Sequence, residues 1–148
     1  MSVLHATTLA RRVDGAWRGV LIRGMSGTGK SDLALRALDS GWRLVADDRT
    51  LVWTSGNALY GRAPVTISGM LEARGVGVVP VAELRFVQLA LVVDAAQEPV
   101  ERIPQCETIE VLGIPLPRLR FDLRYASTLA KIGLALEGRA AHGAAPRL

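Results

Sequence analysis

The stretch Gly24-Met25-Ser26-Gly27-Thr28-Gly29-Lys30-Ser31 restricts this chain more than any other. Glycine, four residues, then glycine-lysine-serine is the phosphate-loop (P-loop) pattern, and it makes demands on both flanks. A strand must lead in and a helix must lead out. Gly19 to Arg23 reads as the strand. "KSDLALRALDSG" reads as the helix, with Leu33, Ala34, Ala37 and Leu38 on one apolar stripe and Gly41 as its stop. In such a loop the glycines let backbone N–H groups turn inward around an anion, and the helix N-terminus adds partial positive charge. Met25, Ser26, Gly27 and Thr28 would supply the wall. Lys30 would reach the β- and γ-phosphates and the Ser31 hydroxyl would ligate Mg²⁺. The pattern alone does not choose among ATPase, GTPase and kinase.

Composition sharpens the place of Lys30. The chain has 16 Arg but only 2 Lys, and one of those lysines sits in the glycine loop. A compact ammonium suits a point contact on phosphate better than a guanidinium fork. The net charge of +4 comes from scattered rather than clustered arginines, which weighs against nucleic acid as partner. Among 148 residues no apolar run approaches the ~18 of a membrane span, and "MSVLHATTLARR" lacks a signal peptide's apolar core. One cysteine, Cys106, cannot form an internal disulfide, and a reducing cytoplasm fits it. A single domain over 1–138 with a flexible tail over 139–148 is expected; His142 falls in that tail.

Elsewhere the pattern predicts mostly strands. "VLHATTLARRVDGAWRGVLIRG" reads as two strands about a turn at Asp14-Gly15, and "WRLVADD" as a buried strand ending in two acids. "TLVWTSGNALYGRA" reads as a hairpin about Ser55-Gly56-Asn57, and "PVTISGMLEARGVGVVPV" as an irregular loop with one short strand. "RFVQLALVVDAA" is a buried strand, and two more fall within "EPVERIPQCETIEVLGIPLPRLRFDLR". In the last of these, Leu119, Phe121 and Leu123 alternate with charged residues. "STLAKIGLALEG" closes the fold as a helix. These elements make an α/β domain around a mixed sheet, without the regular alternation of a Rossmann fold. Trp17, Trp42 and Trp53 read as packing or hairpin cover.

Asp47 and Asp48 end a strand beside the glycine loop. A carboxylate there commonly helps hold Mg²⁺, and two in a row permit one to face metal while the other accepts a proton from an attacking hydroxyl. Glu72 and Arg74 sit in "LEARGVGVV", whose glycines suggest backbone close to a ligand; a surface salt bridge between them is the competing reading.

Together, "HATTLA", "VLIRGMSGTGKSDLAL", "GWRLVADDRTLV" and "LEARGVGVVPV" resemble the catalytic domain of bacterial HPr kinase/phosphorylase, with "VERIPQCETIEVLGIPLPRLRF" extending the likeness. The resemblance covers roughly residues 3–137. It looks like a short form without the family's N-terminal domain. It implies a fold like that of phosphoenolpyruvate carboxykinase around its P-loop. It also implies transfer of phosphate from ATP, with Mg²⁺, to a serine of HPr, a small phosphocarrier protein. Pyrophosphate as donor, and reversal by inorganic phosphate, are further family properties, as is homo-oligomeric assembly, hexameric in long members. By the same resemblance Gly24 to Ser31 holds nucleotide and Ser31 and Glu72 bind metal. The Asp47–Asp48 pair holds the base, with Asp48 favoured. His5 and Arg102 match a catalytic histidine and an active-site arginine.

Three features depart from the family pattern. Ala73 replaces a larger aliphatic residue. "FDLRYAS" stands where the family carries a proline-, lysine- and glycine-containing segment tied to the reverse reaction, leaving Arg124 to supply charge, so the resemblance carries the kinase direction further than the phosphorylase. The chain stops soon after "LALEG", where long members continue into a helix engaging HPr and neighbouring subunits, so remodelled docking is expected. The alternatives are a P-loop kinase for another substrate and a non-catalytic ATP-binding sensor.

Overall fold

A computed structural model describes residues 1–97, 101–105 and 107–138. Cys106, His142 and the expected tail lie outside them. In chain order the strands are β1 (Ser2–Leu4), β2 (Ala6–Val13), β3 (Ala16–Arg23), then helix α1 (Lys30–Asp39), β4 (Arg43–Ala46), β5 (Thr50–Ser55) and β6 (Ala58–Arg62). A single 3-10 turn (Val65–Ile67) precedes β7 (Met70–Ala73) and β8 (Gly77–Pro80). β9 (Val87–Ala95), β10 (Glu107–Val111), β11 (Ile114–Phe121) and helix α2 (Thr128–Leu136) complete the fold.

The main sheet runs β1-β5-β6-β9-β3-β2-β4, with β11 beside the end of β9 and β10 outside β11. β3 with β9 and β9 with β11 are parallel; the other pairs are antiparallel. β9 is the hinge of this arrangement. Its first residues, Val87 and Gln88, pair with β6, and Val92 to Ala95 pair with β11. Because β1 and β2 are separated only by His5, the path that leaves through β1 and β5 returns to β2, and the sheet curls on itself. Two buried threonines rivet the closure: Thr8 Oγ1 lies 2.8 Å from Thr50 Oγ1, and Thr50 Oγ1 donates to the Ala6 carbonyl at 2.9 Å.

Strand alternation assigns side chains to two cores. Leu9, Val20, Ile22, Leu44, Leu91 and Val93 face the helices, where Leu33, Ala34 and Ala37 of α1 and Ile132, Ala135 and Leu136 of α2 cover them. Ala10, Leu21, Val45, Val52, Leu59 and Val92 fill the inside of the curl. Between Gly19 and Val20 the partner on β9 jumps from Leu89 to Leu91. This bulge changes the parity of β9, so that Leu89 faces the curl while Ala90 and Leu91 face the helices.

The expected α1 stripe is buried as read, with Leu38 partly so, and Gly41 has φ 87° just past the helix end. The Asp14-Gly15 turn has positive φ at both residues, the requirement of a tight hairpin. Two expectations need correction. "MLEARGVGVVP" is an antiparallel hairpin, β7 with β8, rather than a loop with one strand. β11 ends at Phe121, so Leu123, though 1% exposed, belongs to the turn that leads into α2. No described helix is long and apolar enough to cross a membrane.

Candidate active site

β3 delivers the chain into the glycine loop, and α1 begins at Lys30 with Gly29 as its N-cap. Gly29 has φ 100°, which a side chain would strain. Gly24 is needed for a different reason: a Cβ there would sit 2.7 Å from both Ala95 Cβ and Thr28 Oγ1. The end of β9 thus presses directly on the loop's first residue.

Lys30 is only 5% exposed. Its Nζ donates to the carbonyls of Gly24 at 2.5 Å and Met25 at 3.1 Å, so the ammonium lies inside the loop it follows. Ser31 Oγ donates to Asp47 Oδ1 at 2.9 Å and lies 3.1 Å from Oδ2. Asp48 turns the other way, and its Oδ1 is 2.7 Å from His5 Nε2, both side chains being about half exposed.

The backbone explains the divergence of these neighbours. The Arg49 N–H donates to the Asp47 carbonyl at 2.7 Å across Asp48, whose φ is 66°. That is a γ-turn with positive φ at its centre, a rare and strained form. Thr7, fully buried on β2, holds both residues: its hydroxyl donates to Asp47 Oδ1 at 3.2 Å and accepts from the Asp48 N–H at 3.1 Å.

A cavity of about 430 Å³ joins these parts. Ser26, Gly27, Gly29, Lys30, Ser31, Asp47, Asp48, Glu72 and Arg74 line it. Glu72 arrives on β7, exposed, and no ion pair joins it to Arg74 among the described residues. Gly24, Met25 and Thr28 complete the loop without lining the cavity. Arg102 is exposed between β9 and β10 and is not among the residues that line this cavity. Arg124 stands beside the loop, its Cγ 3.5 Å from where a Gly29 Cβ would be, and is paired with Asp122 at 3.0 Å. Arg36 of α1 holds that segment by donating to the carbonyls of Leu123 and, at 3.1 Å, Tyr125.

The donors suit a hard cation, being hydroxyl and carboxylate oxygens with no soft ligand. Among the described residues no three His, Cys, Asp or Glu are grouped to hold a metal. An ion at Ser31 and Asp47 could complete its shell with Glu72, which lines the same cavity, and with phosphate and water, as Mg²⁺ usually does.

Two contributors were not singled out in the sequence. Thr7 has as its only trace a pair of threonines near the start of β2. Asp94, at the end of β9, accepts from Arg23 at 2.7 and 2.8 Å and from Arg118 at 2.6 Å. Burial alone would push the Asp94 carboxyl up, but the hydrogen bonds and charge of Arg23, with Arg118, hold it below the usual range. Because Arg23 immediately precedes Gly24, this cluster fixes the loop's point of departure.

Known proteins share this fold. The family model described as HPr Serine kinase C-terminal domain matches residues 11–136. A Clostridium kluyveri protein named HPr kinase/phosphorylase is 34% identical over 126 residues, covering 77% of this chain and 41% of the relative. A Burkholderia lata protein of the same name is 32% identical over 130 residues, covering 80% and 40%. The chain thus spans about two-fifths of the length of these curated relatives. The solved Hpr(Ser) kinase/phosphatase from Coxiella burnetii superposes with TM-score 0.78 at 25% identity, covering 94% of this chain and 96% of that one. The chain belongs to the HPr serine kinase C-terminal domain family.

Proposed function

We propose that this domain is an ATP- and Mg²⁺-dependent protein-serine kinase whose substrate is an HPr-like phosphocarrier. The observation that carries the reading is the division between adjacent carboxylates: Asp47 on the Ser31 hydroxyl and Asp48 on His5, both facing the cavity at the glycine loop. Phosphoryl transfer asks mainly for positioning and charge neutralisation, and that cavity offers a phosphate side and a proton-accepting side.

In this reading Gly24 to Ser31 is a P-loop on a fold of the phosphoenolpyruvate carboxykinase-like kind. Lys30 exchanges its two loop carbonyls for phosphate oxygens. Ser31 and Asp47, with Glu72, hold Mg²⁺, which when bound neutralises charge on the phosphates. Asp48 takes the proton of the substrate serine as its oxygen bonds to the γ-phosphorus and the bond to the departing ADP breaks. His5, hydrogen-bonded to Asp48, orients the carboxylate. In the reverse direction inorganic phosphate attacks phosphoserine, Asp48 returns the proton to the serine oxygen, and pyrophosphate leaves. Arg102 would supply charge from outside the cavity wall, so its removal should cost less than that of Lys30. The setting is taken as cytoplasmic and the assembly as homo-oligomeric, with neither nucleic acid nor membrane as partner.

The test is incubation of the chain with Mg-ATP and the HPr-like carrier, with mass-spectrometric mapping of phosphate. Phosphoserine on the carrier supports the reading. Phosphorylation of a metabolite instead, or ATP binding with no transfer, contradicts it.

A further inference from the structure

At the end of the sheet remote from the glycine loop lies a second cavity, also of about 430 Å³, lined by Trp17, Leu84, Arg85, Phe86, Val87 and Gln88. Trp17 opens β3 and Val87 opens β9. Since the loop follows the far end of β3, the two cavities are about 20 Å apart along the strands. The lining is apolar, and Phe86 is 57% exposed. Phe86 also meets Trp53 and Tyr60 with ring centroids 6.3 and 6.4 Å away, so the apolar surface continues onto the β5–β6 hairpin.

Arginines border this surface throughout. Arg12 and Arg43 lie over the Trp17 ring at 5.9 and 5.4 Å, Arg62 lies over Trp53 at 6.0 Å, and Arg85 lines the cavity. None of the four has an ion-pair partner among the described residues, whereas Arg11, Arg23, Arg36, Arg118 and Arg124 all do. A guanidinium resting on an indole is held in one orientation, a preorganised fork for carboxylates; Arg12 also donates one N–H to the Gly15 carbonyl at 3.1 Å.

The geometry points to a docking site for an acidic protein segment that carries one large apolar side chain. The apolar residue fills the cavity beside Trp17 and Phe86, and flanking carboxylates engage Arg12, Arg43, Arg62 and Arg85. Other occupants fit less well. Bases stacking on Trp17 or Trp53 would have to displace the arginines that cover those rings. A lipid surface is separated by the vesicle arm of the test below. A second copy meeting the same face across a two-fold axis would set arginine against arginine. The inference does not depend on the kinase reading, since none of these residues touches the glycine-loop cavity.

The test uses the full chain and a fluorescein-labelled peptide of glutamates around a central leucine, followed by anisotropy. Micromolar, salt-sensitive binding is expected, weakened at least about tenfold in an Arg43→Glu/Arg85→Glu double variant whose Mg-ATP affinity and melting temperature are unchanged. An isosteric peptide with glutamine for glutamate should bind as weakly as the double variant does to the acidic one. Equal binding by wild type and variant, or none at all, overturns the proposal. So does tighter binding of single-stranded DNA or phosphatidylserine vesicles than of the acidic peptide. A shift in sedimentation coefficient between wild type and variant without peptide would assign the face to self-association instead.

Discussion

At its C-terminal end β3 runs into the glycine loop, where charge is paired and confined. Arg23 is locked by Asp94, Lys30 is buried against two carbonyls, Ser31 is held by Asp47, and Asp48 by His5. At its N-terminal end the same strand carries Trp17, over which Arg12 and Arg43 lie with no carboxylate paired to them among the described residues. One end is a set of polar groups held in place by one another, as chemistry on a small group requires. The other presents cations to whatever approaches. On the two proposed readings, reaction and recognition fall at opposite ends of a single sheet.

If that contrast is right, substitutions at the two ends should differ in kind and size. The largest effect is expected at the proton-accepting side: Asp48→Asn should lower transfer by about 10³-fold, the middle of the range for general bases. Lys30→Ala should lower kcat/KM by about 10²- to 10³-fold, as for loss of one charge-stabilising donor. Asp47→Asn should act through the metal, raising the Mg²⁺ concentration for half-maximal rate while high Mg²⁺ restores much of it. Equal Mg²⁺ dependence in the two aspartate variants would erase the proposed division between them.

Asp94→Asn should reduce folding stability by about 1.5–3 kcal/mol, the scale of hydrogen bonds to a charged group, measured by denaturant unfolding. Its pH dependence has a definite sign. The folded carboxyl is held low, so its contribution is complete above the unfolded value of about 3.9 and fades as pH falls below that. The gap in melting temperature between wild type and Asp94→Asn should therefore narrow below about pH 4. The smallest effect is expected at the remote end, where Arg43→Glu should leave stability within about 0.5 kcal/mol.

What was legible in the sequence follows the range of the interactions. The glycine loop, the α1 stripe and the Asp14-Gly15 turn are written in local spacing, and each stands where spacing puts it. The β7–β8 hairpin reads as a loop with one short strand because Gly75 and Gly77 interrupt it and Val76 and Val78 are exposed, leaving no alternation to detect. β1 is too short to carry a period. The pairing of His5 with Asp48 spans 43 positions, and only the curl of the sheet creates it. Family resemblance named both residues, but not that Asp47 turns to Ser31 while Asp48 turns to His5. That follows from a γ-turn and one buried threonine, neither of which has a sequence signature.

The central claim is that Asp48 accepts the proton while the glycine loop and Asp47 hold the nucleotide and its metal. The most direct measurement compares wild type with Asp48→Asn for Mg-ATP affinity and for single-turnover transfer to the HPr-like carrier. The account predicts nucleotide affinity equal to wild type and transfer all but abolished. Transfer at the wild-type rate by Asp48→Asn, or loss of nucleotide binding in step with transfer, would contradict it.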